Sequence, residues 1–366
     1  MRAKAVICRE NNQPVVVETI EVAPPRTGEV MVKLAACGVC HSDLSATNGT
    51  IPFPPPLILG HEGAGEVIEV GPGVTDFKVG DHVLSSFVTM CGVCHYCTIG
   101  RPALCDVGAK TLYTLPTGDL RTSDAAGKPL NIFSGCGVMA EYATLSTRSI
   151  IKIPQDAPLK QAALVGCGVM TGFCSATNTA RVEPGAIVAV FGCGGVGLSA
   201  IQGAAVSGAG MIVAIDVDDF KLELAKLMGA THTLNSKGEE NLVKTLKKLT
   251  GGGVDYAFEC VGMGDLVATA YGALRKGGTA VVVGVARPKD MTSFRTASMT
   301  FEEKTLKGSY FGSARPREDA PRILGLYKSG KVKLDELVTR TYTIDEAPQA
   351  FADLEAGKNA RGVILF

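Results

Sequence analysis

Three glycines between two apolar segments constrain the fold of this chain most strongly. Gly192, Gly194 and Gly197 form the pattern GxGxxG directly after the apolar run AIVAVFG and at the start of a helical pattern, GVGLSAIQGAAVSGA. Asp216 ends the next apolar run, MIVAID, 19 positions after Gly197. Such glycines let the backbone approach a pyrophosphate at a helix N-terminus. An acid at this place accepts hydrogen bonds from ribose hydroxyls and repels a 2′-phosphate, so the pattern predicts a dinucleotide site that favours NAD over NADP.

Two sequence textures divide the 366 residues. Up to about Pro154, short β-like runs alternate with turns, which predicts an all-β, barrel-like body. Between Val182 and Ala286, apolar runs alternate with helical patterns, which predicts βαβ units and a parallel sheet of at least five strands. The alternative for the glycines is that they only permit close packing of a helix on this sheet. The tail carries two helical patterns and a closing strand, RGVILF, and is expected to pack on the first domain.

Charge and export signals exclude several function classes. Lys+Arg and Asp+Glu both total 36, so there is no cationic excess to bind nucleic acid. The charge-free stretch Gly185 to Ile215 contains eight glycines and is explained by a buried strand, helix and strand, so no membrane association is expected. The start of the chain has no apolar h-region, which predicts a cytoplasmic protein. The segment PFPPP, Pro52 to Pro56, is expected to form a rigid loop inside the fold.

Four of the twelve cysteines lie close together in a spacing typical of a metal site. Cys91, Cys94, Cys97 and Cys105 read C-x2-C-x2-C-x7-C. Four thiolates suit a tetrahedral zinc ion and leave no open position, so this site is expected to be structural. An iron–sulfur cluster and replacement of one thiolate by His95 are the alternatives.

A second group of potential ligands is dispersed: Cys40 in CGVCHSD, His61 and Glu62 in ILGHEGAG, and Cys167 in VGCGVMTG. Each residue alone is best explained as a core cysteine or a structural histidine. Together, two thiolates and one imidazole make a three-ligand zinc site with a fourth position open, which is the catalytic type. The sequence alone does not show that these residues converge.

These motifs together resemble the zinc-dependent medium-chain alcohol dehydrogenases of the liver-type branch, over essentially the whole chain. The family pattern GHExxG is present from Gly60 to Gly65, the cysteine quartet has the family spacing, and VGCGVMTG precedes the nucleotide domain. The resemblance implies a GroES-like β-barrel catalytic domain, residues 1–167 and 311–366, with a structural-zinc lobe at about 88–108. It also implies a Rossmann NAD-binding domain, residues 168–310, with a doubly wound parallel sheet, so that the fold class is α/β plus β.

The resemblance further implies a role for individual residues in catalysis. Cys40, His61 and Cys167 would bind catalytic zinc, with Glu62 able to approach it and Asp43 orienting His61. Ser42 would accept the proton of an alcohol whose hydride passes to NAD. Ser45 stands where liver-type relatives carry the terminal histidine of the proton relay, and His41 stands where many relatives place an arginine on the pyrophosphate. A complete ligand set argues against a zinc-free quinone reductase.

The same resemblance assigns positions around the cofactor and substrate. The cofactor would contact the glycine motif and residues on either side of it: His41, Thr171, Gly192, Gly194, Gly195, Val196, Gly197, Asp216, Lys221, Val261, Val283 and Arg361. Apolar residues would line the substrate pocket: Ile51, Leu57, Phe87 and Met139. This lining predicts a primary aryl or allylic alcohol, with a thiol-adduct (formaldehyde) dehydrogenase and a non-catalytic zinc or NAD sensor as alternatives. The long segment 106–137 is similar to that of dimeric relatives, which predicts a homodimer.

Overall fold

A computed structural model describes all residues, 1–366, and contains eighteen β-strands. In chain order the strands are β1 (Arg2–Cys8), β2 (Val16–Val22), β3 (Glu29–Val39), β4 (Leu57–Ile58), β5 (Gly63–Val70), β6 (His82–Ser85), β7 (Thr122–Ser123), β8 (Asn131–Ile132), β9 (Tyr142–Ser146), β10 (Ile150–Lys152), β11 (Ile187–Phe191), β12 (Met211–Asp216), β13 (His232–Asn235), β14 (Val254–Glu259), β15 (Leu274–Val282), β16 (Thr305–Gly308), β17 (Val338–Thr343) and β18 (Arg361–Leu365).

Eleven α-helices connect these strands. They are α1 (His41–Thr47), α2 (His95–Thr98), α3 (Leu159–Leu164), α4 (Met170–Cys174), α5 (Gly195–Val206), α6 (Asp219–Leu227), α7 (Leu242–Leu249), α8 (Gly264–Ala273), α9 (Thr296–Glu302), α10 (Pro316–Lys328) and α11 (Ala347–Glu355). Side-chain caps start two of the surface helices, because Asp218 accepts a hydrogen bond from Phe220 N–H at 2.9 Å and Asn241 accepts one from Lys244 N–H at 3.0 Å. No helix is both long enough and apolar enough to cross a membrane.

The chain divides into two compact units. The first unit contains Met1–Cys167, Arg315–Leu326 and Leu334–Phe366, and the second contains Gly168–Ala314 and Tyr327–Lys333. In the first unit, a five-stranded sheet has the order β7-β2-β1-β4-β8, and a seven-stranded sheet has the order β10-β6-β5-β3-β18-β17 with β9 paired to β3. The C-terminal strand β18 pairs antiparallel with β3, as expected for the tail. The β-rich first part of the prediction is confirmed.

Close backbone approach explains one glycine of the GHExxG pattern. A Cβ on Gly65 would lie 2.1 Å from the Lys33 carbonyl oxygen on β3, so only glycine fits at this point of the antiparallel pair β3 and β5. The neighbouring PFPPP segment is partly buried, and its predicted rigidity stays a prediction. Phe53 is buried there, the Pro55–Pro56 peptide bond is cis, and β4 follows directly.

The second unit is built on one parallel sheet of six strands in the order β13-β12-β11-β14-β15-β16. The central strand β11 is entirely apolar and largely buried, as a parallel strand covered on both faces must be, whereas its neighbour β14 also carries Asp255 and Glu259. The glycine motif joins β11 to α5, so the predicted strand–loop–helix arrangement and the parallel doubly wound sheet are confirmed. The sixth strand, β16, has the short and largely exposed sequence TLKG, which carries no apolar signal.

The helical region that follows β10 and precedes β11 in the sequence was not predicted. It runs through α3 and α4 and contains π-helical turns at Val165–Val169 and Ser175–Ala180. Its residues are buried almost throughout and show no amphipathic period, so periodicity gives no helical signal. The first π turn carries Cys167.

Candidate active site

Four dispersed residues of the first unit converge on one point. The potential ligand atoms of Cys40, His61, Glu62 and Cys167 all lie within 4.8 Å of one another, and all four residues are buried. Cys40 follows β3 at the start of α1, His61 and Glu62 lie between β4 and β5, and Cys167 lies in the π turn. Three chain segments therefore build a single site.

Asp43 fixes the orientation of the His61 ring. Its Oδ1 lies 3.3 Å from His61 Nδ1 and accepts a hydrogen bond from Gly60 N–H at 2.9 Å, while Oδ2 accepts one from Cys40 N–H at 3.2 Å. With Nδ1–H donating to the carboxylate, Nε2 is the ring nitrogen left to bind a metal ion in exchange for its proton. Nε2 is buried and has no hydrogen-bond partner. An orphaned imidazole nitrogen beside two thiol sulfurs fits a bound zinc ion.

The electrostatics of the site favour the metal-binding form of Cys40. Interaction with Cys167 lowers the pKa of the Cys40 thiol well below its usual value against the opposing effect of burial, and His61 adds to the lowering. Burial lowers the pKa of His61, but Asp43 and Cys40 outweigh burial and raise this pKa to about 10. Cys40 is therefore held as a thiolate, the form of cysteine that binds metal ions.

Glu62 forms a buried ion pair with Arg361, the first residue of β18. Gly38 makes room for it, because a Cβ on Gly38 would lie 2.1 Å from Glu62 Oε2 and 3.0 Å from the Arg361 guanidinium. A buried carboxylate needs such a partner to remain charged. The structure thus places Arg361 beside the candidate zinc ligands, whereas its predicted contact with a pyrophosphate stays a prediction.

The residues of the predicted proton path lie on α1. Ser42 Oγ is 3.8 Å from Cys40 Sγ and half-buried, so its hydroxyl lies at the ligand cluster. His41 opens the helix and is exposed. Ser45 lies three residues after Ser42 and is also half-buried. The hydroxyl of Ser42 therefore directly contacts a ligand residue.

The second cluster contains all four residues of the cysteine quartet. Their sulfurs lie within 4.8 Å of one another, with Cys91 and Cys97 at 4.0 Å and Cys94 and Cys105 at 3.9 Å. Metal–sulfur bonds of about 2.3 Å in a tetrahedron set sulfur separations of about 3.8 Å. Two backbone N–H groups donate to these sulfurs, from Cys91 to Cys105 and from Cys94 to Cys91, each at 3.3 Å. The cluster fits one tetrahedral zinc ion.

His95 does not belong to this cluster. It opens α2 directly after Cys94, and its ring packs at 5.3 Å against Tyr96. The ligand group contains the four cysteines alone. None of the twelve cysteines forms a disulfide, as expected for a chain that uses thiolates as ligands.

Aromatic rings surround the His61 side of the first site. Phe87 lies edge-on to the His61 ring at 5.9 Å between centroids, and Phe133 lies edge-on at 5.0 Å. Phe53 packs on Phe133 at 4.6 Å. Sequence reasoning missed Phe53 and Phe133, because nothing in their local sequence links them to His61. The other predicted lining residues lie in the core of the first unit, with Leu57 and Met139 fully buried and Ile51 packed against them.

In the second unit, Asp216 lies beside the glycine motif. Its Oδ2 accepts a hydrogen bond from Cys193 N–H at 2.7 Å, and its Oδ1 accepts from Val217 N–H at 2.8 Å. Gly192 has a positive φ of 88°, and a Cβ on Gly197 would lie 1.8 Å from the Gly192 carbonyl oxygen. Gly194 is the N-cap of α5, and Gly195, Val196 and Gly197 form its first turn. The loop, the helix start and the acid have the arrangement that a dinucleotide pyrophosphate and ribose require.

The other predicted cofactor residues of this unit are spread around the same end of its sheet. Val261 follows β14 and is half exposed, Val283 follows β15 and is buried, Thr171 lies in α4, and Lys221 lies in α6. Glu259, which sequence reasoning missed, is fully buried and accepts hydrogen bonds from Val261 N–H at 2.8 Å and Gly262 N–H at 2.7 Å. Its position at the end of a mostly apolar strand, VDYAFE, was its only signal.

Comparison with known proteins agrees with this geometry. Residues 26–155 match the alcohol dehydrogenase GroES-like domain, and residues 195–329 match the zinc-binding dehydrogenase family. The chain is 42% identical to the NDMA-dependent alcohol dehydrogenase of Amycolatopsis methanolica, over 100% of this chain and 99% of the relative. It is 37% identical to the S-(hydroxymethyl)glutathione dehydrogenase of Paracoccus denitrificans, over the full length of both chains.

A solved structure extends the similarity to three dimensions. The benzyl alcohol dehydrogenase of Acinetobacter calcoaceticus superposes with a TM-score of 0.93 at 33% identity, covering 100% of this chain and 99% of that one. Both domain families, both cysteine-containing ligand clusters and the full-length relatives agree. This chain therefore belongs to the zinc-dependent medium-chain alcohol dehydrogenases, and it is an oxidoreductase of that family.

Proposed function

We propose that this protein oxidises a primary aryl or allylic alcohol to the aldehyde, reversibly, with hydride transfer to NAD and with two zinc ions per chain. The observation that carries the proposal is the convergence of Cys40, His61 and Cys167 around an imidazole nitrogen without a protein partner. We assign residues 1–167 and 311–366 to the catalytic domain and residues 168–310 to NAD binding. The quartet of cysteines in the lobe 88–108 would hold the structural zinc.

The residues of the chain divide the work of this reaction. When bound, zinc supplies the Lewis acidity that lowers the pKa of an alcohol, and NAD supplies the hydride acceptor. Ser42 accepts the alcohol proton at Oγ. Asp43 holds His61 in the tautomer that presents Nε2, and Arg361 compensates the Glu62 carboxylate. Because Ser45 replaces the usual terminal histidine, the proton that Ser42 gives up in exchange either passes to water or leaves by another route.

Asp216 supports NAD rather than NADP as the cofactor. Its carboxylate is held beside the glycine motif by three backbone N–H groups, those of Cys193, Val217 and Asp218. A negative charge fixed there accepts hydrogen bonds from ribose hydroxyls and repels a 2′-phosphate. His41, Lys221 and Arg361 are the candidate cations for the phosphates and the adenosine ribose.

An aromatic substrate is supported by two observations. Phe87 lies partly accessible beside the His61 ring, where an aryl ring stacks favourably. The structural relative from Acinetobacter calcoaceticus is named for benzyl alcohol. No charged residue lies in the segment 51–57 to bind a carboxylate, which disfavours a glutathione adduct.

Two alternatives come from the names of relatives. The Paracoccus denitrificans relative acts on S-(hydroxymethyl)glutathione, so the same zinc site in this chain would then oxidise a thiol adduct of formaldehyde. The Amycolatopsis methanolica relative is NDMA-dependent, so an acceptor such as NDMA would then be needed for turnover. A sensor that binds zinc and NAD without turnover is the third alternative.

One panel of substrates tests these proposals together. NADH absorbance is followed with benzyl, cinnamyl and longer aliphatic alcohols, ethanol and a formaldehyde–thiol adduct, each with NAD⁺ and with NADP⁺. A parallel series with NDMA follows the consumption of NDMA, because an acceptor that takes up the hydride keeps NADH from accumulating. We expect turnover of aryl or allylic alcohols with NAD⁺ alone. A preference for the thiol adduct contradicts the proposed aryl or allylic substrate. Turnover that requires NDMA contradicts the proposal that NAD⁺ alone is the hydride acceptor. No turnover of any substrate by protein that carries two zinc ions favours the sensor.

We also propose that the protein is a cytoplasmic homodimer. Twelve free cysteines, eight of them outside the quartet, support a reducing compartment. In the second unit, β16 has a neighbour on one side only, which leaves a sheet edge open for a second copy. Light scattering after size exclusion measures the mass, and a tetramer contradicts the proposal.

A further inference from the structure

Ser85 occupies the position where three segments of the candidate zinc site meet. It is the last residue of β6 and is almost fully buried. Its Oγ donates a hydrogen bond to the His61 carbonyl oxygen at 2.8 Å and accepts one from Gly63 N–H at 2.8 Å. A single hydroxyl thus brackets the peptide that carries His61 and Glu62.

This contact continues the sheet beyond its regular ladder. The antiparallel register of β5 and β6 ends at Ala64 opposite Leu84, and the next step would pair Gly63 with Ser85. At this step the Ser85 hydroxyl, instead of a backbone group, hydrogen-bonds to Gly63 N–H and to the His61 carbonyl oxygen. Both hydrogen-bonding roles of the hydroxyl are filled, so alanine would leave two buried backbone groups unpaired.

The backbone of Ser85 contacts the segment of the third ligand. A Cβ on Gly166 would lie 2.7 Å from the Ser85 carbonyl oxygen, 3.5 Å from Glu62 Cα and 3.6 Å from the His61 carbonyl oxygen. Gly166 directly precedes Cys167 in the π turn. Only a glycine lets this turn approach β6 and the His61 segment so closely.

We propose that Ser85, together with Gly166, is a positioning residue that sets the separation between His61 and Cys167 in the catalytic zinc site. Ser85 touches neither ligand atom and acts through the backbone on both sides. The inference rests on the proposed function, because it requires a zinc ion at Cys40, His61 and Cys167. Groups that orient metal ligands from behind typically change metal affinity about 10- to 100-fold when removed.

The test compares Ser85→Ala with Ser86→Ala in the holoenzyme. Ser86 is equally buried, but its hydroxyl donates to the Val88 carbonyl oxygen and makes no contact with a ligand segment. Zinc release to a chelator is followed for both sites, and the visible spectrum is recorded after cobalt exchange. The cysteine quartet reports on folding, because its ion is retained only in a folded lobe.

We expect Ser85→Ala to release the catalytic zinc about 10- to 100-fold faster and to change the cobalt spectrum, while the quartet keeps its ion. Gly166→Ala should give the same changes, and Ser86→Ala should behave as wild type. Wild-type release from Ser85→Ala, or equal loss in Ser86→Ala, overturns the role of Ser85. Wild-type protein with one zinc ion overturns the proposed function itself, and the inference with it.

Discussion

Asp43 and His61 are joined by a fully buried contact of 3.3 Å between Oδ1 and Nδ1. The same carboxylate accepts hydrogen bonds from the backbone N–H groups of Gly60 and Cys40. It therefore links the His61 ring to the backbone before His61 and to the segment that carries Cys40. Its three partners leave it no freedom to rotate. The direction in which Nε2 points is therefore set before any ion binds.

Replacing Asp43 by asparagine should weaken the catalytic zinc site. The amide keeps an acceptor for His61, but it loses the charge and turns a donor toward Cys40 N–H, which already donates to Oδ2. We expect a loss of about 10- to 100-fold in zinc affinity and a similar loss in kcat/KM. Asp81→Asn is the matched control, since Asp81 is equally buried but pairs with Lys152. Equal zinc affinity in the two variants would contradict this role.

Replacing Cys94 by serine should remove the structural zinc alone. The lobe 88–108 is small and exposes Val93 and Ile99, so a bound ion rather than an apolar core must hold it together. Zinc content should fall from two ions to one per chain, and Tm should fall by about 5–10 °C. Cys8→Ser, at a buried cysteine outside both clusters, should keep two zinc ions. Full zinc content in Cys94→Ser would show that the quartet is not a metal site.

Asp216→Asn should relax the choice between the two nicotinamide cofactors. The amide removes the negative charge and keeps one acceptor oxygen, which can serve either Cys193 N–H or the N–H groups of Val217 and Asp218, so part of the loop's hydrogen bonding is retained. Loss of charge-assisted hydrogen bonds should lower kcat/KM for NAD⁺ about 10-fold, and use of NADP⁺ should rise. Asp218→Ser, which preserves the N-cap of α6 two residues away, should leave the preference unchanged. An unchanged ratio in Asp216→Asn refutes the assignment.

Removing one partner of the Glu62–Arg361 ion pair should lower the free energy of unfolding more than removing both charges. Arg361→Ala strands a buried carboxylate, which typically lowers the free energy of unfolding by about 3–5 kcal/mol. The double variant Glu62→Gln with Arg361→Met removes both charges and should recover most of that loss. Urea unfolding of the two variants measures the difference. Equal stability of the single and double variants would mean that the charge of Glu62 is not compensated by Arg361.

Phe87→Ala should act on aryl substrates selectively. The ring lies beside His61, and aromatic contacts of this kind contribute about 0.5–1.5 kcal/mol beyond area burial. The kcat/KM for benzyl alcohol should therefore fall about 2- to 10-fold relative to that for ethanol. Ethanol serves as the internal control, because it is too small to stack on the ring. A uniform loss with both alcohols would assign Phe87 a structural role.

The parts of the site that depend on local sequence were predictable. The glycine motif and Asp216 follow from one strand–loop–helix segment, and the cysteine quartet spans only 15 residues. The catalytic ligands are different, because Cys40 and Cys167 are far apart in the chain and only the family resemblance brought them together. Phe133 and Ser85 carry no sequence signal, since their roles arise from sheet register and packing against His61.

Two structural elements escaped prediction for related reasons. The π turn at Val165–Val169 lies in a run of apolar and glycine residues that has no period to read. Strand β16 is short and mostly exposed, so its partner β15 defines it rather than its own composition. Both depend on neighbours that are distant in the sequence.

The most direct test of the central claim is NADH formation from benzyl alcohol and NAD⁺ by wild-type protein and by Cys167→Ser, each with its zinc content determined. Cys167 belongs to the catalytic cluster and lies outside the quartet. The account predicts turnover by wild type with two zinc ions, and no turnover by a folded variant that retains one. Equal turnover by both proteins would contradict a catalytic zinc at Cys40, His61 and Cys167.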